Sequence, residues 1–284
     1  MKKTYWFNIF SEDACKKLLC YVLLPLLVIA LMFIKLDKSG KERTLALPFR
    51  VPDDVLTSSL GVFEKAGSAV VLIKTFDKKG SPEGAGTGFF ISSKGQLITN
   101  NHVIAGVYSA IAINEEGKVY PIKGLIAKDK DTDLVKLLAD VGTEDVAFLE
   151  LSKALPGWGD KTWVIGHPGA GVLTLSVGKV HAGSENGRIS HRCVRYEISA
   201  PVSPGSSGSP VLDPNVRVIG VAQSCKFPAS YKNSYGGVSY VIATPNISQL
   251  KDEDKLVSLP EYASSDSSVS TKRWWYSGYE FSRY

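Results

Sequence analysis

The sequence predicts an all-β domain that follows one N-terminal transmembrane helix. Between residues 68 and 244, short runs rich in β-branched and aromatic residues alternate with turn signals, without long amphipathic helices. Such a density of short strands is typical of a β-sandwich or a β-barrel. The clearest runs are residues 70–73, 88–91, 96–99, 162–165 and 238–242. The predicted transmembrane helix is an uncharged apolar run at residues 18–34.

The apolar run has 17 residues, close to the shortest helix that spans a bilayer. Lys16 and Lys17 precede it and Lys35 follows it, so both ends carry cations that can reach the lipid headgroups. A cleaved secretory signal is the alternative, but the charged residues after the run leave no small-residue cleavage site. We therefore expect an uncleaved anchor at residues 18–35, behind a short N-terminal tail at residues 1–17.

Basic residues on the two sides of the anchor nearly balance, so the positive-inside rule does not fix its orientation. A short cytoplasmic tail with the bulk of the chain exported is the simpler arrangement. We expect a single-pass membrane protein whose main domain lies on the extracytoplasmic side.

The composition indicates a globular chain that can bury one or two cores, since 44% of its 284 residues are hydrophobic and 21% are charged. Its net charge of +5 comes from scattered lysines and arginines, so no nucleic-acid partner is expected. Residues 36–57 are typical of a tether. Residues 251–284 are rich in charge and then in serine, which predicts a disordered tail. The aromatic and basic residues 272–279 leave a membrane contact of this tail open.

Cys193 and Cys225 are the two cysteines of the β-rich region. Outside the cytoplasm they can form a disulfide, and the alternative is two small buried thiols. The cysteines and histidines do not show the spacing of a zinc site. No metal and no cofactor are expected.

A segment rich in serine and glycine, PGSSGSPV at residues 204–211, is either a flexible linker or a loop that carries chemistry. The preceding residues 194–198 alternate apolar and polar side chains, and an apolar run at residues 216–222 follows a turn. A loop fixed between two strands is a common place for functional residues. A serine nucleophile requires a base within hydrogen-bond reach and a third group that orients the base.

His102 is the candidate base, because it directly follows a predicted strand and begins a turn of small residues. The other histidines, His167, His181 and His191, lie in turns or polar loops and are assigned no chemistry. Asp133 is the candidate third group. It leads directly into an apolar strand, where a partly buried carboxylate needs a partner such as an imidazole N–H.

Five segments resemble, in order, those of the trypsin-like serine proteases, most closely of the HtrA/Deg family. They are GTGF at residues 86–89, TNNHV at 99–103, TDLV at 132–135, VIGHPG at 164–169 and GSSGSP at 205–210. The resemblance covers roughly residues 60–250, with His, Asp and Ser in the order of the family.

The resemblance implies a chymotrypsin-like double β-barrel with the active site in the cleft between the barrels. The protease domain would span residues 58–250 and divide near residues 150–160. Only 34 residues follow it. Because this is too short for the PDZ domain that HtrA proteins generally carry, none is expected.

The resemblance also implies a role for each matching residue. Ser207 would be the nucleophile, His102 the general base and acid, and Asp133 the group that orients and stabilises the imidazole. The backbone N–H groups of Gly205 and Ser207 would form the oxyanion hole. Ser209 stands where the family usually has glycine, and it would strain the loop if that position needs a positive φ.

The same resemblance places Val202, Pro201 and Ala222 at the pocket for the substrate side chain before the scissile bond. No carboxylate stands there, which argues against a preference for lysine or arginine. Ala222 stands where glutamyl endopeptidases have histidine, which argues against acidic specificity. We expect a modest apolar pocket with a broad preference, suited to unfolded polypeptides.

The resulting hypothesis is a membrane-tethered serine endopeptidase that hydrolyses unfolded or exposed polypeptides through a Ser-His-Asp triad and an acyl-enzyme. One alternative is a catalytically silent protease fold that binds peptides or partner proteins. Another is a secreted protease whose N-terminal segment is removed. Proteins of the family are often trimers, but no residue pattern in this chain predicts a subunit contact, so a homo-oligomer stays open.

Overall fold

The structure is a computed structural model, and it describes residues 53–182, 194–223 and 239–265. The predicted N-terminal tail and anchor, most of the predicted tether, both cysteines of the β-rich region and residues 266–284 lie outside these ranges. The helices within the described ranges lack the combination of length and apolar character that is needed to cross a bilayer.

The first half of the described chain contains six strands and two helices. They are α1 (Asp53–Ala66), β1 (Val70–Phe76), β2 (Pro82–Phe90), β3 (Gln96–Asn100), α2 (Asn101–Ile104), β4 (Ser109–Ile113), β5 (Val119–Asp129) and β6 (Leu134–Ala139). The second half contains seven strands and two helices. They are β7 (Lys161–Gly166), β8 (Thr174–Ala182), β9 (Arg195–Ile198), β10 (Pro210–Leu212), β11 (Val218–Gln223), β12 (Ser239–Ala243), α3 (Thr244–Ser248), β13 (Asp252–Val257) and α4 (Leu259–Ser265).

The strands form two closed six-stranded antiparallel barrels. In the first barrel the order is β1-β2-β3-β6-β5-β4, and β4 pairs with β1 to close the ring. In the second barrel the order is β10-β11-β12-β9-β8-β7, closed between β7 and β10. The first barrel ends at Ala139 and the second begins at Lys161. This architecture confirms the chymotrypsin-like double barrel that the resemblance implies.

Alternation along the strands divides the apolar side chains between a barrel interior and a core that both barrels share. Phe90 and its cross-strand partner Leu97 face the interior of the first barrel. The neighbouring pair, Phe89 and Ile98, belongs to the shared core. Successive side chains of a strand point to opposite faces, which explains the division. The second barrel contributes to the shared core the side chains of Trp163, Ile165, Leu212, Val218, Val221 and Ile242.

Part of the predicted disordered tail has regular structure, since β13 and α4 lie within residues 251–284. The residues of β13 are largely exposed, and the strand is held by pairing with β5. Ion pairs join Asp252 to Lys136 and Glu253 to Lys128. The charged residues whose composition predicts disorder here form ion pairs with residues of other strands. Their partners are more than a hundred positions earlier in the sequence, so the local composition does not reveal them.

Candidate active site

Strand register brings His102 and Asp133 together. In the antiparallel pair of β3 and β6, Asn100 lies opposite Leu134. The residue after Asn100 therefore lies opposite Asp133, and the backbone N–H of Asn101 donates to the Asp133 carbonyl oxygen at 3.0 Å. The side-chain amide of Asn100 donates to the same oxygen at 3.1 Å. His102 follows in the one-turn helix α2, next to the carboxylate.

The Asp133 carboxylate is fixed by three donors. Its Oδ1 accepts the backbone N–H of His102 at 2.9 Å, and its Oδ2 lies 2.7 Å from His102 Nδ1. The side-chain amide of Gln223 donates to Oδ2 at 2.7 Å. An ionised carboxylate only accepts hydrogen bonds, so Nδ1 carries the imidazole proton. In the neutral imidazole the lone pair is then on Nε2, the atom that a general base uses.

The loop that carries Ser207 is formed by residues 203–209 and is called the serine loop below. It is built from two consecutive tight turns. The N–H of Ser206 donates to the Ser203 carbonyl at 2.9 Å, and the N–H of Ser209 donates to the Ser206 carbonyl at 3.1 Å. The third residues of these turns are Gly205 and Gly208, with φ of 93° and 88°. A positive φ at the third position is typical of type II turns, which favour glycine there. Ser209 itself has no positive φ, so it does not strain the loop.

Thr87 on β2 joins this loop to the first barrel. Its backbone N–H donates to the Ser207 carbonyl at 2.8 Å, and its hydroxyl donates to the Gly205 carbonyl at 2.9 Å. A β-carbon at the neighbouring Gly86 would lie 2.7 Å from a methyl of Val103 and 3.3 Å from the Ser207 carbonyl oxygen. Ser207 and the residue that follows His102 therefore pack against the same point of β2.

The backbone amides of the loop differ in their hydrogen bonding. Those of Ser206, Gly208 and Ser209 all donate to carbonyl oxygens. Within the described ranges, the N–H groups of Gly205 and Ser207 donate no hydrogen bond. These are the two amides for which the sequence predicts an oxyanion hole. Unengaged N–H groups on a rigid loop can stabilise an oxyanion without prior rearrangement.

His167 lies in the turn next to the serine loop. Its backbone N–H donates to the Thr87 hydroxyl at 2.9 Å, and its Nδ1 lies 2.9 Å from the Gly171 carbonyl oxygen. Its Nε2 is buried and has no hydrogen-bond partner among the residues that the structure describes. Burial lowers the pKa of His167, and the hydrogen bond to Gly171 offsets this in part. The same turn supports the loop, because the N–H of Gly169 donates to the Pro204 carbonyl at 2.7 Å.

Comparison with known proteins agrees with this geometry. A family model described as a trypsin-like peptidase domain matches residues 86–221. A probable periplasmic serine endoprotease, DegP-like, from Chlamydia trachomatis serovar D is 30% identical over 178 residues, or 61% of this chain and 34% of that protein. Over residues 86–221 this chain is similar to trypsin-like peptidase domains, and its curated relatives include HtrA-type proteases.

Solved structures share the fold of this chain. The crystal structure of the serine endoprotease from Yersinia pestis has a TM-score of 0.58 at 22% identity, covering 70% of this chain and 65% of that one. A structure of the HtrA-type protease AlgW with tripeptide has a TM-score of 0.57 at 24% identity, covering 66% and 60%. The chain spans about a quarter to just over a third of the length of its curated relatives.

Two of the three predicted pocket residues, Val202 and Ala222, are buried in the second barrel. Val202 and Ala222 belong to the core cluster that includes Val164 and Ile198. A pocket of about 170 Å³ lies beside the same loop, lined by Val164, Gly166, Pro168, Thr174, Ser176, Pro201, Ser203 and Ser206. It includes Pro201, one of the residues that sequence reasoning assigns to substrate recognition. The roles of Val202 and Ala222 in substrate binding stay predictions.

Sequence reasoning misses three contacts of the candidate site. Gln223 directly follows the predicted pocket residue Ala222 and is given no role of its own, yet its side chain reaches Asp133 from the other barrel. Thr87 is part of a matched segment, without a role. Tyr262 lies in the predicted tail, and its hydroxyl donates to Asn101 at 2.8 Å. The partners of Gln223 and Tyr262 are 90 and 161 positions away, so no local pattern could have indicated these contacts.

Proposed function

We propose that this protein is an endopeptidase that cleaves peptide bonds through Ser207, His102 and Asp133. One observation carries the proposal. The His102–Asp133 hydrogen bond of 2.7 Å supports it, together with a serine loop in which, among the described residues, the N–H groups of Gly205 and Ser207 donate no hydrogen bond. A base oriented by a carboxylate, a serine and an oxyanion site are the parts that acyl transfer requires.

In the proposed mechanism, Ser207 Oγ attacks the scissile carbonyl carbon while His102 Nε2 takes the hydroxyl proton. The oxygen that becomes negative is stabilised by the N–H groups of Gly205 and Ser207. His102 then protonates the leaving amine, which yields the acyl-enzyme. Water, activated by the same imidazole, hydrolyses the ester. Asp133 stabilises the imidazolium that forms in both halves of the reaction.

The proposed substrates are unfolded or exposed polypeptide segments with apolar side chains before the scissile bond. The predicted pocket residues Val202, Pro201 and Ala222 carry no charge, and an apolar pocket discriminates by only about 1–3 kcal/mol per methylene. The DegP-like relative is named a periplasmic serine endoprotease. This name supports an extracytoplasmic position of the protease domain, and the tether at residues 18–35 is proposed from the sequence alone.

Labelling with a fluorophosphonate tests the catalytic proposal. The purified full chain in detergent should gain one covalent adduct by intact mass, and Ser207→Ala should gain none. Ser209→Ala is the matched control, because it removes a buried hydroxyl from the same loop and should retain the adduct. A folded parent chain without an adduct would support the catalytically silent scaffold instead.

The same label tests the tether. After labelling of cells, the adduct should remain in the membrane pellet through an alkaline carbonate wash. It should also form with a probe that does not cross the cytoplasmic membrane. Recovery of the labelled chain in the soluble fraction would contradict the anchor at residues 18–35.

A further inference from the structure

We infer that Tyr262 is a positioning residue for the His102–Asp133 pair. The inference rests on the proposed function, because it assigns Tyr262 a role in that same site. Tyr262 lies outside the matched residues 86–221 and within the predicted tail. It acts on the triad through Asn101 and touches no reacting atom.

The contact between Tyr262 and Asn101 is buried. The phenol hydroxyl donates to Asn101 Oδ1 at 2.8 Å, and the two residues are 1% and 8% exposed. A buried hydroxyl needs a hydrogen-bond partner, and leaving a buried amide oxygen without one destabilises the folded state. The bond therefore fixes the Asn101 side chain firmly.

Asn101 is linked to both His102 and Asp133. Its own N–H donates to the Asp133 carbonyl, and its neighbour in sequence is His102. Helix α2, which carries both Asn101 and His102, has only four residues. So short a helix has little stability of its own, and its orientation depends on contacts from other elements. The described contacts to the side chain of Asn101 include this bond from α4.

Tyr262 is itself held against the loop that leads to Asp133. The Nζ atoms of Lys128 and Lys130 lie 4.9 Å and 5.8 Å from the centre of its ring. Cations over an aromatic face are attracted to it. Leu259, one turn earlier in α4, is buried in the first-barrel core. Helix α4 thus contacts the segment before Asp133 as well as the residue before His102.

The geometry predicts that loss of the hydroxyl alone slows the chemical step. Without the bond, Asn101 and the adjoining His102 gain freedom relative to Asp133 and Ser207. Misplacement of a catalytic group by up to about 1 Å can cost as much as about a hundredfold in rate. We expect Tyr262→Phe to lower kcat about tenfold and to leave KM unchanged, because α4 contributes no residue to the proposed substrate pocket.

The experiment compares Tyr262→Phe with Tyr120→Phe in the full chain. Tyr120 is buried in the same core cluster as Tyr262, and Tyr120→Phe also removes one phenol hydroxyl. It is therefore the matched control. Hydrolysis of an unfolded casein substrate gives kcat and KM, and thermal unfolding gives Tm. We expect lower kcat in Tyr262→Phe alone. The effect should disappear when Asn101→Ala is the parent. Equal kcat in the two tyrosine variants, or an undiminished effect in the Asn101→Ala parent, would overturn the inference.

A spectroscopic signal separates this inference from the proposed function. The Nδ1 proton between His102 and Asp133 gives a low-field proton NMR resonance, assigned by its loss in Asp133→Asn. In Tyr262→Phe it should broaden through faster exchange with water, whereas in Tyr120→Phe it should not. If the parent chain neither hydrolyses casein nor reacts with fluorophosphonate, the proposed function fails. The resonance still decides the positioning role, and an unchanged resonance in Tyr262→Phe would refute it.

Discussion

Asp133 is held in a backbone conformation that is unfavourable for most residues. Its φ of 60° lies in the left-handed region, which costs a non-glycine residue about 1–3 kcal/mol. Its carbonyl accepts from Asn100 and Asn101, and its carboxylate accepts from His102 and Gln223. Its position before an apolar strand predicts a partly buried carboxylate. The left-handed backbone had no local signal, because these donors come from β3, α2 and β11, which are distant in sequence.

Because His167 is buried, we expect the free energy of unfolding to depend on pH. Burial lowers its pKa from the ordinary value of 6.5, because the imidazolium is poorly solvated there. Below that value the unfolded chain binds a proton that the folded chain does not bind. This contribution to the free energy of unfolding is therefore fully present above pH 6.5 and is lost as the pH falls through and below it.

Urea unfolding of the parent chain and of His167→Asn measures this effect. The free energy of unfolding of the parent minus that of the variant should decrease from about pH 8 to about pH 5.5. His181→Asn, which replaces an exposed histidine of the same barrel, is the control for loss of a histidine. A parent–variant difference that stays constant over this range would contradict the prediction.

Among the elements, the serine loop depends both on its own turn residues and on a contact with the first barrel. Pro204 and Gly205 occupy the second and third positions of the first turn, where type II turns favour these residue types. Local sequence therefore goes far in specifying the turns. The contact that attaches the loop to the first barrel depends on Thr87, which is more than a hundred residues earlier.

Thr87→Val should weaken catalysis through this attachment. The valine keeps the shape but leaves the Gly205 carbonyl and the His167 N–H without the hydroxyl, at about 1–3 kcal/mol for each buried group. We expect the rate of fluorophosphonate labelling to fall about tenfold or more, because the N–H groups proposed to form the oxyanion hole lose their fixed position. Thr75→Val, a buried threonine of the neighbouring strand β1, is the matched control. Equal labelling rates in the two variants would exclude a role for the Thr87 hydroxyl.

At the scale of the whole molecule, the shared core joins the two barrels. It combines Phe89, Ile98 and Leu134 of the first barrel with residues such as Trp163 and Ile165 of the second. One hydrogen bond to Asp133 crosses the same boundary, since Gln223 belongs to the second barrel and Asp133 to the first. We infer that the two barrels unfold as one cooperative unit.

Phe90→Ala tests this cooperativity, because Phe90 faces only the interior of the first barrel. The substitution should lower the free energy of unfolding by about 3–5 kcal/mol. Hydrogen exchange in moderate denaturant should then accelerate equally in peptides from β1 and from β7. Phe89→Ala is the control, because Phe89 lies in the shared core. It should accelerate hydrogen exchange in both peptides whether the barrels unfold together or separately. Unchanged exchange in β7 of Phe90→Ala would mean that the barrels unfold separately.

The sequence by itself determined the strand-rich class, the order of His102, Asp133 and Ser207, and the turn chemistry of the serine loop. These depend on local features, namely alternation, turn residues and the residue types that acyl transfer needs. Only the tertiary structure decided that Gln223 supports Asp133, that Thr87 attaches the loop, and that Tyr262 reaches Asn101. Their partners lie far away along the chain, and closure of the barrels makes them neighbours. For the same reason residues 252–265 have the composition of a tail and yet form a strand and a helix: pairing with β5 supplies the partners that their own sequence lacks.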